Sequence, residues 1–305
     1  MSRRVKILIG VGLALALLVA LAAIFGSHGQ NNSYQPQDEF KLEDWVSIHL
    51  AGINLSINKA VLYLFLSAGL TVATMVYIAK RMQQRPNRVQ TAVEAIYQLM
   101  RENIAGPNNM DRKLAVKWFP FIGALFLFIW YSNMLGYLPL PVNSGETFNL
   151  FGAHIPAFQI YAATANISVT LALTLVVWLS YHVEGIRAKG PVRYVKGWLP
   201  GGLDNVPARA ILIPGIFVIE VISQFVRIIS LSVRLFANML AGHLLILFMG
   251  GGLVVLLGLA ALGVVTLPLA VVFFIFEIVL IATLQAFIFA TLTAIYLGGA
   301  VAESH

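Results

Sequence analysis

Long apolar runs separated by short clusters of positive charge dominate the chain. The first run, Ile7 to Phe25, follows Arg3, Arg4 and Lys6. A basic head on an apolar run suits either a cleaved signal peptide or a retained anchor with its N-terminus inside. The run continues through Ala20-Leu21-Ala22 to nearly spanning length, so retention of residues 1–25 is the expectation. Both readings put residues 26–57 outside, and that segment carries Asp38, Glu39, Glu43 and Asp44 against Lys41 alone. A second span, Ala60 to Ala79, ends at Lys80, Arg81, Arg85 and Arg88, a cluster that belongs in the cytoplasm.

Apolar Val89, Val93, Ile96, Tyr97 and Met100 then recur at helical spacing among Gln90, Glu94, Gln98, Arg101 and Glu102. Val89 to Ile104 therefore reads as an interfacial helix on the inner leaflet. A third span runs from about Trp118 to Leu138, after Arg112, Lys113 and Lys117. The loop through Pro139, Pro141, Asn143, Gly145 and Gly152 lacks Lys and Arg and is read as external. A fourth span from about Ile160 to Tyr181 returns the chain to Arg187, Lys189, Arg193 and Lys196. From Ile211 to Ala302 the chain is almost wholly apolar, interrupted near Gly250-Gly251-Gly252 and Gly258, with Pro214 and Pro268 as candidate kinks. Each arm exceeds a perpendicular crossing at about 1.5 Å per residue, which predicts two tilted helices in a hairpin over 205–302, within a membrane domain 58–305. Glu303 and His305 then close the chain inside.

Composition agrees with an all-α polytopic membrane protein of four or five spans. Hydrophobic residues make up 59% and charged residues 11%, and the mean hydropathy is +0.84. A soluble chain of this length has too little interior for so much apolar surface, whereas helices satisfy their own backbone in lipid. Cysteine is absent, which excludes disulfides, thiolate nucleophiles and iron–sulfur ligation. The net charge of +7 lies in the inter-span clusters, so it reports topology rather than nucleic-acid binding.

Within the last apolar stretch the fully charged residues are Glu220, Arg227, Arg234 and Glu277, with His243 as a further ionisable group. A charge at membrane depth costs roughly 2.5 to 3.5 kcal/mol on insertion scales, so each asks for a reason. Arg234 sits among small and polar residues from Ser230 to His243 that allow a second helix to approach. Asn238 shares its face, whereas His243 lies about 180° around and roughly 13 Å further along. A guanidinium keeps its charge where an ammonium would lose a proton. Arg234 can pair permanently with Glu220 or Glu277, snorkel to an interface, or meet a transient carboxylate on another subunit; the last is the expectation. His243 and Glu277 can change protonation and make a relay, or be ordinary packing groups. Gln285 can hold water or the arginine, or act as interhelical glue.

The stretch Arg234-Leu-Phe-Ala-Asn-Met-Leu-Ala-Gly-His243 resembles the hallmark helix of subunit a of the F-type ATP synthase membrane sector. A second match is Thr283-Leu284-Gln285-Ala286-Phe287-Ile288-Phe289, and weaker likeness extends through Asn133-Met134-Leu135-Gly136-Tyr137-Leu138-Pro139 and Val169-Thr170-Leu171. The resemblance implies a bacterial inner-membrane stator subunit with a cytoplasmic C-terminus, no enzyme on its own. It also implies a ring of c subunits and peripheral-stalk b subunits as partners, with lipid around them. No cofactor, metal, nucleic acid or substrate other than the translocated proton is expected. Arg234 would face the c-ring carboxylates, with Asn238 and Gln285 as its polar companions, and Glu220, His243 and Glu277 would belong to two offset proton half-channels. Asn166 and Ser168 stand where many members have Asp and Asn, which makes the external entrance less acidic.

Three rival readings remain. A secondary transporter would bind its substrate at broken helices, yet paired halves are not visible. A scaffold would tolerate change at Arg234. A self-contained enzyme would need a nucleophile elbow, phosphate loop or metal cluster, and the sequence offers none.

Overall fold

The computed structural model describes residues 40–42, 44–50, 53–54, 56–81, 112–150, 153–199, 209–252, 254 and 263–301, with Val5, Gly12, Ala16, Ala20, Gln90, Thr91 and Glu94. Five helices among these residues are long and apolar enough to cross a membrane. The expected N-terminal anchor lies outside the described residues except for four isolated positions, and most of the expected interfacial helix does too. Gln90, Thr91 and Glu94 are helical, and Gln90 donates to Glu94 Oε1 one turn on at 2.7 Å.

A short antiparallel pair, β1 (His49–Leu50) and β2 (Ile53–Asn54), precedes α1 (Lys59–Arg81). Asn58 starts that helix, its side-chain carbonyl accepting from Val61 N at 3.2 Å, so one orphan donor of the first turn is satisfied. Lys59 is buried at this end, its ammonium donating to Gln159 Oε1 at 3.0 Å and lying 5.0 Å over the Tyr161 ring. Burial pushes the Tyr161 phenol up to about 12, so it stays neutral beneath that cation. Helix α2 (Arg112–Gly136) follows, with Pro120 inside it.

The loop read as external is more ordered than its composition suggests. Leu140–Leu150 (β3) and Ala153–Gln159 (β4) pair antiparallel from Leu140 opposite Gln159 to Leu150 opposite Ala153, with irregularities after Pro141 and Asn143. The next helix also begins later than hydropathy predicts. Residues 163–165 form a 3₁₀ turn, and α3 (Ile167–Lys189) starts only after Asn166, whose side chain caps Ser168 N at 2.8 Å. It runs past Tyr181 to Lys189, where Gly190 takes φ +79°, the left-handed conformation that favours glycine. Pro191 then opens the short α4 (Pro191–Lys196).

The last two spans are Leu212–Gly252 and Gly263–Val301. The first consists of α5 (Arg209–Leu247) and a π-helical end, Phe248–Gly252. The second consists of α6 (Gly263–Phe276), a π segment (Glu277–Ile281) and α7 (Ala282–Val301). Both prolines are absorbed inside helices, Pro214 in α5 and Pro268 in α6. Each span is roughly 60 Å long at 1.5 Å per residue, twice a hydrocarbon core of about 30 Å, which is the physical case for steep tilt.

The larger core cluster lies where α2, α3, α5 and α7 meet, and a smaller one joins Ala60 and Tyr63 of α1 to Tyr161 and Ala163. Ala282, Ala286, Ala290 and Ala294 are fully buried at every fourth position of α7, and Leu297 completes the face. Side chains this small let neighbouring backbones approach where lipid provides no hydrophobic drive. Gly136 serves the same purpose between α2 and the 3₁₀ turn, since a Cβ there would overlap Ala162. Outward faces are apolar, including Phe65, Val72, Ile219, Ile229, Val264 and Val279.

Candidate functional site

Helix α5 orders the ionisable residues along one axis. Glu220 lies fourteen positions before Arg234, about 21 Å, and His243 nine positions after it, about 13 Å. Rotation separates them as well: Arg234 is exposed, whereas His243 is 1% exposed.

Arg234 has no hydrogen bond or ion pair among the described residues. Each acid of the hairpin that it could meet is held elsewhere: Glu220 accepts from Gln224 and Arg227, and Glu277 from Tyr137. Ser230, Arg234, Ala237 and Ala241 are all exposed, at the four-three-four spacing of one helix face. The guanidinium thus stands in a strip of small side chains. Asn238 is half-buried beside this strip, one turn from Arg234.

Towards the α5 N-terminus lies a cavity of about 390 Å³ lined by Tyr181, Tyr194, Glu220, Gln224, Arg227 and Tyr296, among others. The Tyr181 hydroxyl donates to Gln224 Oε1 at 2.8 Å, and Gln224 Nε2 donates to Glu220 Oε1 at 2.9 Å. Arg227 reaches the same carboxylate oxygen at 3.5 Å and lies 5.4 Å over the Tyr296 ring. Gln224 and Tyr181 were not singled out as site residues from sequence; the i, i+4 and i, i+7 spacing of Glu220, Gln224 and Arg227 was the available signal. In the cavity wall, Tyr194 packs against Gly185, and burial raises its phenol pKa.

Beyond Arg234 in the other direction, His243 and Glu277 sit around Tyr137. The two make no hydrogen bond with each other. His243 places Nδ1 2.9 Å from Met239 O and Nε2 3.0 Å from Gly136 O. Since carbonyls only accept, a neutral imidazole can donate to one of them and an imidazolium to both. Its ring stacks on Tyr137 with centroids 4.6 Å apart, and Phe40 meets it edge-on at 6.3 Å. The Tyr137 hydroxyl donates to Glu277 Oε2 at 3.2 Å. Gly242 closes the other side of that carboxyl, where a Cβ would overlap it.

The π segment explains where Glu277 and Gln285 point. Eight residues of plain α-helix would set them about 80° apart, but a π turn absorbs one extra residue and takes back roughly 100°. Both side chains are accordingly buried. The distortion is clamped by α2: Asn133 donates to Ala282 O at 3.1 Å and accepts from Thr164 at 2.7 Å, while Trp130 donates to Thr283 at 3.3 Å. Among the described residues, no His, Asp or Glu cluster is suited to a metal.

Among the described residues, these features define a polytopic helical membrane protein with an exposed arginine between two polar clusters inside its spans. Residues 61–298 match the family described as ATP synthase A chain, and the chain belongs to it. It is 38% identical over 257 residues to ATP synthase subunit a of Rubrobacter xylanophilus, covering 84% of this chain and 88% of that protein. The subunits a of Maricaulis maris and Rhodospirillum rubrum are each 33% identical, over 279 and 273 residues, covering 88% of this chain and 98% of theirs.

Proposed function

We propose that this chain is the proton-translocating stator subunit of a rotary ATP synthase, in a bacterial inner membrane with its C-terminus in the cytoplasm. Its partners are a ring of c subunits and the peripheral-stalk b subunits. The observation that carries the reading is the exposed Arg234 guanidinium, which has no partner among the described residues while the Glu220 and Glu277 carboxyls are engaged elsewhere.

A c-ring carboxylate facing lipid must be protonated, because a bare anion there is prohibitively costly. Opposite Arg234 it ionises, and the proton leaves through one half-channel. The emptied site reloads from the other half-channel before returning to lipid. The Glu220–Gln224–Tyr181–Arg227 cavity forms the inner half-channel, and the His243–Tyr137–Glu277 cluster forms the outer one. These clusters lie on opposite sides of Arg234 along α5, so a proton has no straight path, and the fixed cation repels one that tries to hop through. Each crossing yields roughly 2.3 kcal/mol per 100 mV, which a leak would waste. Asn238, one turn from the arginine, supplies a neutral hydrogen-bonding group on its helix, and the buried Gln285 supplies another on α7. The strip of Ser230, Ala237 and Ala241 leaves room for the c-ring helix.

Membrane vesicles test this directly. Arg234→Ala and Arg234→Lys should both assemble yet lose ATP-driven proton pumping, because only a guanidinium keeps its charge in this setting. Normal pumping by Arg234→Lys would remove the arginine from the mechanism.

A further inference from the structure

His243 and Glu277 do not contact each other by hydrogen bond, yet both contact Tyr137. The phenol is 2% exposed, at the end of α2, and its ring is fixed on two sides, stacked on His243 and edge-on to Phe274 at 5.8 Å. Both His243 nitrogens face backbone carbonyls, so the imidazole has no free atom with which to orient the carboxyl. Glu277 is similarly limited: Tyr137 is its side chain's hydrogen-bond partner among the described residues, and Gly242 bounds the slot it occupies.

We propose that Tyr137 is the positioning residue of this cluster, holding the Glu277 carboxyl by its hydroxyl and the His243 imidazole by its ring. The proposal rests on the outer half-channel assigned above. A phenol has one proton to donate, and Glu277 Oε2 takes it, leaving Oε1 to exchange protons with water. Because Tyr137 acts through Glu277, its removal should alter how readily the carboxyl receives and releases protons without dismantling the fold.

The test separates hydroxyl from ring. Passive proton flux through vesicles stripped of the ATP-hydrolysing sector is measured across pH, per assembled complex, for wild type, Tyr137→Phe, Tyr137→Leu, His243→Ala and Glu277→Ala. Tyr137→Phe keeps the stack on His243 and loses only the donor, so flux should fall about tenfold, the scale of one hydrogen bond to a charged group, and the midpoint of its pH profile should move. Tyr137→Leu loses both contacts and should fall further. If Tyr137→Phe matches wild type in flux and pH profile while Glu277→Ala loses flux, the tyrosine only packs; the proposal is overturned and the half-channel stands. If Tyr137→Phe, His243→Ala and Glu277→Ala all conduct normally, the half-channel assignment fails and takes the proposal with it.

Discussion

Replacing Gly242 with alanine adds one methyl group at the point where α5 meets the Glu277 carboxyl. An ideal Cβ there stands 2.7 Å from Glu277 Oε1 and still closer to the rest of the group, well inside the 3.5 to 4.0 Å at which carbon contacts are comfortable. The obstructing atoms are the end of a three-torsion side chain, so the carboxyl swings away before the helices part. Overpacking of this kind costs about 1 to 3 kcal/mol, which an assembled complex survives. The function should not survive as well. A displaced carboxyl leaves the Tyr137 hydroxyl, and a hydrogen bond to a charged group contributes about 1.5 to 3 kcal/mol, or roughly ten- to a hundredfold in the population of the seated geometry. Passive proton flux per assembled complex should therefore drop at least about tenfold in Gly242→Ala. Gly69→Ala is the control: nothing lies within 4 Å of its added Cβ, and alanine favours helix, so flux and stability should hold or improve slightly. Wild-type flux in Gly242→Ala would show that the slot does not govern the carboxyl.

Two further substitutions probe the surrounding structure. Asn133→Leu removes the donor to Ala282 O and the acceptor for Thr164, leaving buried groups unpaired at about 1 to 3 kcal/mol each; a lowered Tm of the purified complex is expected, and an unchanged Tm would refute the clamp on the π segment. Gln224→Leu frees Glu220 from its closest partner and strands the Tyr181 hydroxyl, so ATP-driven pumping should fall severalfold with assembly intact; undiminished pumping would exclude Gln224 from the inner path.

The spans were legible because charge is so scarce: a boundary falls wherever Lys and Arg gather, as at Lys80 and Arg81 or Arg187 and Lys189. The capped start of α3 was not. Hydropathy begins the fourth span near Ile160, but Tyr161 to Ala165 are buried apart from the helix, which waits for the Asn166 cap. The β3–β4 pairing was missed because a Gly- and Pro-bearing loop without charge looks the same whether or not its strands pair. At the candidate site, residue types singled out Glu220, Arg234, His243 and Glu277, since ionisable groups stand out in apolar sequence. What surrounds them depends on tertiary contact. Nothing local ties Tyr137 to residues more than a hundred positions later, and the π turn that rotates Gln285 leaves no mark in hydrophobic periodicity. The alanine ladder of α7 was visible in principle, as small residues at every fourth position.

If Arg234 faces a moving carboxylate of another subunit, the absence of cysteine from the sequence allows a direct measurement by cross-linking. A single cysteine at the exposed Ala237, on the arginine's face, is oxidised in membranes against c subunits carrying a cysteine beside their carboxylate, with the buried Ala286→Cys as the comparison. A disulfide between Ala237→Cys and the c subunit, with none from Ala286→Cys, is the predicted result. No cross-link from Ala237→Cys in assembled, pumping complexes would mean that the arginine's face does not meet the c subunits.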